Sequence, residues 1–132
     1  MENTVNRNEL VKAWVAALRS GKYRQTNGCL RDSTGFCCLG VACDVYANMG
    51  LGGEWKETED IYDFVVAGEN DAESVLPAAV RDSLGLIDSG GVYHSEDDDK
   101  ALAIDNDNGL TFDEIANIIE ARPKGLFATE VK

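Results

Sequence analysis

The chain has 132 residues, of which 44% are hydrophobic and 27% are charged, as expected for one soluble globular domain. Twenty-four acidic side chains against twelve basic ones give a net charge of −12, which disfavours nucleic-acid binding through phosphate neutralisation. No apolar run approaches the ~20 residues of a membrane-spanning helix, and the first residues lack a secretory signal. We expect a single domain over residues 1–132, with flexible ends at 1–7 and 127–132.

The first predicted helix runs from Asn8 to Ser20. Asn8 is a suitable N-cap, and Gly21 can adopt the left-handed conformation that ends a helix. The apolar residues of this segment recur at helical spacing and predict one buried stripe. They are Leu10, Val11, Trp14, Val15 and Leu18.

Next, the pair Asn27-Gly28 is a strong hairpin signal and predicts two brief strands, at 23–25 and 29–31. A second helix is predicted from Phe36 to Asn48, where apolar residues cover most of the circumference and indicate burial. All four cysteines lie on the second strand or in this helix, at spacings that do not suit zinc. We expect them to be free thiols packed as small hydrophobic residues in a reducing compartment. They are Cys29, Cys37, Cys38 and Cys43.

The second half predicts strands within 55–66, a helix from Pro77 to Leu84 and a strand fragment at 92–93. Residues 102–104 are expected to lead into a loop over 105–109, which is rich in Asn and Asp. A capping box from Thr111 to Glu114 then begins a helix that Pro123 stops. The predicted fold is a small, helix-dominated α+β domain of about four helices with short antiparallel hairpin strands.

Charge is unevenly divided along the chain, which gives the main indication of a binding site. Up to Cys43, six Lys or Arg residues face three acids, whereas the remainder carries 21 acids and six bases. Five of the first six bases lie between Lys12 and Arg31. A basic segment in a strongly acidic chain indicates a place that receives anions.

Within this segment, Arg24 and Arg31 are expected on facing strands of the hairpin, where two guanidinium groups could bind a phosphate. Tyr23 would stack on a base, with Lys22 nearby. Gln25 and two residues of the later polar loop, Asn106 and Asp107, would select polar edges of the ligand. Two alternatives stay open: the bases pair with acids and only stabilise the fold, and the loop side chains only bond their own backbone.

Other functional motifs are sparse. The sequence contains no Gly-x-Ser-x-Gly elbow, phosphate-binding loop or His-Glu-x-x-His motif, so we assign no catalytic residue, cofactor or metal site, and enzyme activity is undecided. The acidic run from Glu96 to Asp99 is typical of a solvated surface. Its functional interpretation is a decoy for a basic partner, as in inhibitors that mimic DNA.

Several segments together resemble a family of small tailed-phage and prophage proteins. They are Trp14–Tyr23 (WVAALRSGKY), Phe36–Asp44 (FCCLGVACD), Leu76-Pro77 with Val80 and Leu84–Leu86, and Asn106-Asp107 with Gly109 and Phe112–Ala116 (FDEIA). The resemblance extends from Trp14 to Glu120. It implies a phage context rather than a reaction, and it supplies no catalytic or binding residues.

The sequence therefore predicts a non-enzymatic phage accessory protein that binds a small anionic, nucleotide-like ligand and sequesters a host immune signal. We expect it in the host cell cytoplasm, without nucleic-acid or membrane partners. A homo-oligomer is compatible with this function. The alternative is an acidic protein–protein inhibitor, or a DNA mimic, acting on a host protein.

Overall fold

The structure is a computed structural model, and it describes residues 6–94 and 99–128. The helices in these ranges are α1 (Arg7–Arg19), α2 (Cys38–Asn48), α3 (Ala78–Leu84), α4 (Leu102–Asp107) and α5 (Phe112–Ala121). The strands are β1 (Arg31–Asp32), β2 (Glu54–Thr58), β3 (Ile61–Val65), β4 (Val92–His94) and β5 (Asp99–Ala101). The predicted class, a small α+β domain with short antiparallel strands, is confirmed.

Helix α1 begins one residue earlier than the sequence predicted, and its N-cap is Asn6 rather than Asn8. The side chain of Asn6 accepts a hydrogen bond from the backbone N–H of Glu9, and the Glu9 carboxylate accepts one from the N–H of Asn6. This reciprocal capping box satisfies two N–H groups that would otherwise lack a partner. The predicted apolar stripe is confirmed, because all five of its residues are buried.

Helix α2 is the centre of the core, and α1 packs directly against it. The indole N–H of Trp14 donates to the carbonyl of Cys38 at 2.9 Å, which links the two helices. All four cysteines are buried free thiols, as predicted. Burial raises the pKa of the Cys37 thiol to about 11, so that thiol stays protonated at neutral pH.

Two small antiparallel sheets complete the domain. The first has the strand order β1-β3-β2, and the second pairs β4 with β5. The strands predicted within 55–66 are confirmed as β2 and β3. The helix that ends at Gly85, which has a positive φ of 81°, and the capping box of α5 are confirmed as well.

The predicted hairpin at 23–31 is wrong. Its two arms do not pair with each other: Phe36 donates its N–H to the carbonyl of Arg24, and Thr26 donates to the carbonyl of Phe36. Strand β1 instead pairs with β3, with Arg31 opposite Tyr62. The tertiary partners of these segments outweigh the local preference of the Asn-Gly turn.

A second correction concerns residues 105–107, which form the last part of helix α4 rather than a loop. At the C-terminal end, Phe127 bridges to Leu86, and Ala128 donates its N–H to the carbonyl of Gly85. Residues 1–5 and 129–132 of the ends predicted to be flexible lie outside the described residues. Within the described ranges, no helix combines the length and apolar composition that crossing a bilayer demands.

Candidate functional site

Two of the predicted site residues, Gln25 and Asn106, bond each other, and a third, Asp107, bonds the backbone of the same segment. The amide of Gln25 donates to Asn106 Oδ1 at 2.9 Å and to the carbonyl of Leu110 at 2.8 Å. Asn106, which is 2% exposed, donates from Nδ2 to the carbonyl of Thr26 at 2.7 Å. The carboxylate of Asp107 accepts from the N–H of Gly28 at 3.0 Å. These contacts fasten the segment after α1 to helix α4.

Arg31 lies among aromatic rings rather than opposite Arg24. Its guanidinium carbon is 4.1, 4.8 and 5.3 Å from the ring centroids of Tyr62, Phe36 and Trp55. Among the described residues, Arg31 forms no ion pair. The side chain is held by cation–π contacts, so it acts as part of the packing of the first sheet.

Tyr23 is fixed by a carboxylate on helix α2. Its hydroxyl donates to Asp44 Oδ2 at 2.5 Å, and the indole N–H of Trp55 donates to Asp44 Oδ1 at 3.1 Å. Burial, and then the hydrogen bond to Asp44, raise the pKa of Tyr23 well above its ordinary value. The Tyr23 ring is therefore held in one orientation.

The arrangement expected for the phosphate clamp is wrong, because Arg24 and Arg31 do not lie on facing strands. Arg24 and Lys22 are exposed, whereas Arg31 is half-buried.

The acidic run on which the alternative function depends is described only at its last residue, because 95–98 lie outside the described residues. Asp99 Oδ1 lies 2.6 Å from His94 Nδ1 across the second sheet.

A groove lies between α1 and α5. The helices run antiparallel, because Arg122 contacts Asn8 at one end and Arg19 contacts Asn117 nearer the other. The groove encloses about 530 Å³. We call it the basic groove; it is lined by Val11, Lys12, Val15, Ala16, Arg19, Ile119, Glu120 and Arg122.

The polar lining of the basic groove is three cations and one acid. Arg19 is held by Glu120 at 2.6 Å and by Asn117 Oδ1 at 2.8 Å. Lys12 is exposed, and it forms no ion pair with any other described residue. The groove is thus locally positive in a chain whose net charge is −12.

Arg122 lines the basic groove and has an unusual backbone conformation. It closes helix α5 in the left-handed conformation, with φ 50° and ψ 62°, where glycine or asparagine is usual. Its guanidinium carbon lies 4.6 Å from the centroid of the Phe127 ring. A long cationic side chain is therefore kept where the backbone favours a smaller residue, and it is oriented by an aromatic ring.

Residues 6–123 match the model of a domain of unknown function, DUF8296. The chain belongs to the DUF8296 family. No curated protein matches the chain, and no solved structure matches it. All residues that line the basic groove of this DUF8296 domain fall inside the matched range.

The residues predicted to bind a ligand include none of the three cations of the basic groove. Lys12 and Arg19 belong to the basic segment that we interpreted as an anion site. Arg122 was missed, because it lies in the acidic part of the chain, and only the antiparallel packing of α5 on α1 brings it to Lys12 and Arg19. The sequence gives only a weak indication of Arg122 as a site residue, which is its position before Pro123 at the end of an amphipathic helix.

Proposed function

We propose that this DUF8296 protein binds a small anionic, nucleotide-like ligand in the basic groove and retains it without chemical change. The observation that carries the proposal is the convergence of Lys12, Arg19 and Arg122 on one groove of an acidic protein. In the phage context that the sequence resemblance implies, such a protein would act in the host cytoplasm and sequester a defence signal. This context rests on the resemblance alone.

The chemistry of the lining suits a phosphate joined to a less polar body. Guanidinium groups donate paired hydrogen bonds to phosphate oxygens, and a lysine adds a point charge. The floor, formed by Val11, Val15, Ala16 and Ile119, offers apolar contact to the rest of the ligand. The Glu120 carboxylate keeps Arg19 in place, so less side-chain entropy is lost when an anion binds.

Electrostatics favours the groove over the rest of the surface. An anion meets a negative potential over most of an acidic protein, so the local positive patch determines where it binds. Because the cations are exposed at the rim, affinity should fall as ionic strength rises.

The test is a thermal-shift screen against cyclic dinucleotides and cyclic ADP-ribose isomers, followed by calorimetry. A ligand present at about 100 times its Kd should add about 2.7 kcal/mol to the free energy of unfolding. Lys12→Ala and Arg122→Asn should each abolish the shift, because each removes a cation from the groove. Asn is chosen at position 122 because it tolerates the left-handed backbone. Arg24→Ala, an exposed cation outside the groove, is the matched control.

Two results would refute the proposal. One is a panel in which no compound raises the melting temperature. The other is a ligand affinity that is unchanged in both groove variants but is lost in Arg24→Ala. That result would place the ligand at the segment predicted from the sequence, which includes Arg24. Capture of a basic host protein that high salt releases, together with a silent panel, would support the acidic-inhibitor function instead.

A further inference from the structure

A second, smaller cavity lies next to the basic groove along the same pair of helices. It encloses about 220 Å³, and Arg19 lines both spaces. On the α1 side the second cavity is lined by Leu18, Arg19 and Tyr23, and at the start of α5 by Thr111, Phe112 and Asp113. One ligand that extends past Arg19 could therefore reach both spaces.

The lining of the second cavity differs in chemistry from that of the basic groove. Arg19 is the single cation among its lining residues, and Asp113 supplies an exposed carboxylate that disfavours phosphate. The remaining lining includes two aromatic rings, Tyr23 and Phe112. A flat, uncharged ring with N–H donors fits such a site, because it can contact aromatic side chains and donate to a carboxylate.

Tyr23 is suited to contact with a base because its position is already fixed. Its hydroxyl is hydrogen bonded to Asp44, and its ring packs edge-to-face with Phe36 at a centroid distance of 5.0 Å. A ring that is held in place before binding loses little entropy when a ligand contacts it.

We infer that the second cavity binds the heterocyclic base of a nucleotide whose phosphate lies in the basic groove, with Arg19 between them. The inference rests on the proposed function and makes it specific: the ligand carries a base whose exocyclic amino group donates a hydrogen bond to the Asp113 carboxylate. Binding is then selective for nucleotides over phosphate or sugar phosphates.

The experiment is calorimetry with the four ribonucleoside monophosphates, ribose 5-phosphate and inorganic phosphate. AMP or another amino-bearing nucleotide should bind at least about tenfold more tightly than ribose 5-phosphate. Asp113→Ala should lower the affinity for that nucleotide to the affinity for UMP, whose base lacks an exocyclic amino group, and should leave ribose 5-phosphate binding unchanged. Asp60→Ala, an exposed carboxylate in the turn between β2 and β3, is the matched control.

The outcomes separate the two proposals. If the nucleotides and ribose 5-phosphate bind equally and both depend on Lys12, the base site is refuted and the anion site stands. If none of the four nucleotides binds, the inference is refuted, and the cyclic-nucleotide panel alone decides the proposed function.

A second measurement avoids any substitution. Irradiation of the unmodified protein with 8-azido-AMP should label a peptide containing Tyr23 or residues 111–113, and excess AMP should suppress the labelling. Competed labelling confined to the segment 24–31 would refute the inference.

Discussion

The side-chain oxygen of Asn106 accepts a hydrogen bond from the amide of Gln25 at 2.9 Å, although the two residues are 81 positions apart. The same oxygen accepts the backbone N–H of Cys38 at 3.1 Å, at the start of helix α2. Asn106 thus joins three parts of the chain: the segment after α1, helix α2 and helix α4. It has a structural role in a place where the sequence indicated ligand recognition.

We predict that Asn106→Ala lowers the free energy of unfolding by about 2–3 kcal/mol, because the substitution leaves the N–H of Cys38 and the carbonyl of Thr26 without partners. Urea denaturation measures the change. Asn70→Ala, at an exposed position, should stay within about 0.5 kcal/mol of the parent. Equal stability of the two variants would contradict the structural role.

The same residue shows why the sequence misassigned this region. Residues 105–109 are rich in Asn and Asp, which locally favour a loop. However, Asp105 and Asn106 are buried, and their side chains bond to Tyr93 and Cys38 from other elements. Those partners stabilise a helical turn that local preferences do not indicate. In the same way, hydrogen bonds from the segment 24–28 to Asp107 and Phe36 replace the pairing expected within the hairpin.

Other elements were predictable because their signals are local. Helices α1 and α5 combine an apolar stripe with a capping box, and α3 ends at a glycine in the left-handed conformation. The candidate site was predictable in its charge but not in its place. Its third cation, Arg122, is more than 100 residues from Arg19 and Lys12, and only the packing of α5 joins them.

Gly40→Ala should destabilise the protein although alanine favours helices. In an isolated helix the change would add about 1 kcal/mol of stability. Here a Cβ at position 40 would overlap the carbonyl oxygen of Leu30, a backbone atom that cannot move freely. We expect a net loss of about 3 kcal/mol in the free energy of unfolding.

The control is Gly21→Ala, where a Cβ meets open space but the backbone φ is +77°. That variant should lose only about 1 kcal/mol through backbone strain. A Gly40→Ala variant as stable as the parent would show that α2 does not pack this closely on the segment before it.

Arg31→Leu tests whether Arg31 serves the fold or a ligand. Loss of the contacts with Tyr62, Phe36 and Trp55 should cost about 1–2 kcal/mol of unfolding free energy. The affinity for any ligand of the basic groove should not change. Arg24→Ala, by contrast, should alter neither stability nor affinity by more than about 0.5 kcal/mol. Lost binding together with unchanged stability in Arg31→Leu would assign Arg31 to the ligand.

Alkaline pH should weaken the fold through two tyrosines. Burial, followed by the bond to a carboxylate, raises the pKa of Tyr23 and of Tyr93 well above the ordinary value of 10.0. Tyr93 donates to the buried carboxylate of Asp105 at 2.5 Å. Since the folded state holds these protons more tightly than the unfolded chain, their stabilisation is complete below pH 10 and is lost as pH rises above it.

Tyr93→Phe separates the contribution of Tyr93 to this pH dependence from that of the buried thiols. The raised pKa values of the thiols also lower stability as pH rises, from about pH 9. At pH 7 the variant should lose about 2 kcal/mol, because Asp105 loses its donor. Between pH 10 and 11, the unfolding free energy of the variant should fall less steeply than that of the parent. The two slopes should differ by up to about 1.4 kcal/mol per pH unit. Parallel slopes in urea titrations at these pH values would show that Tyr93 ionises in the folded protein as readily as in the unfolded chain.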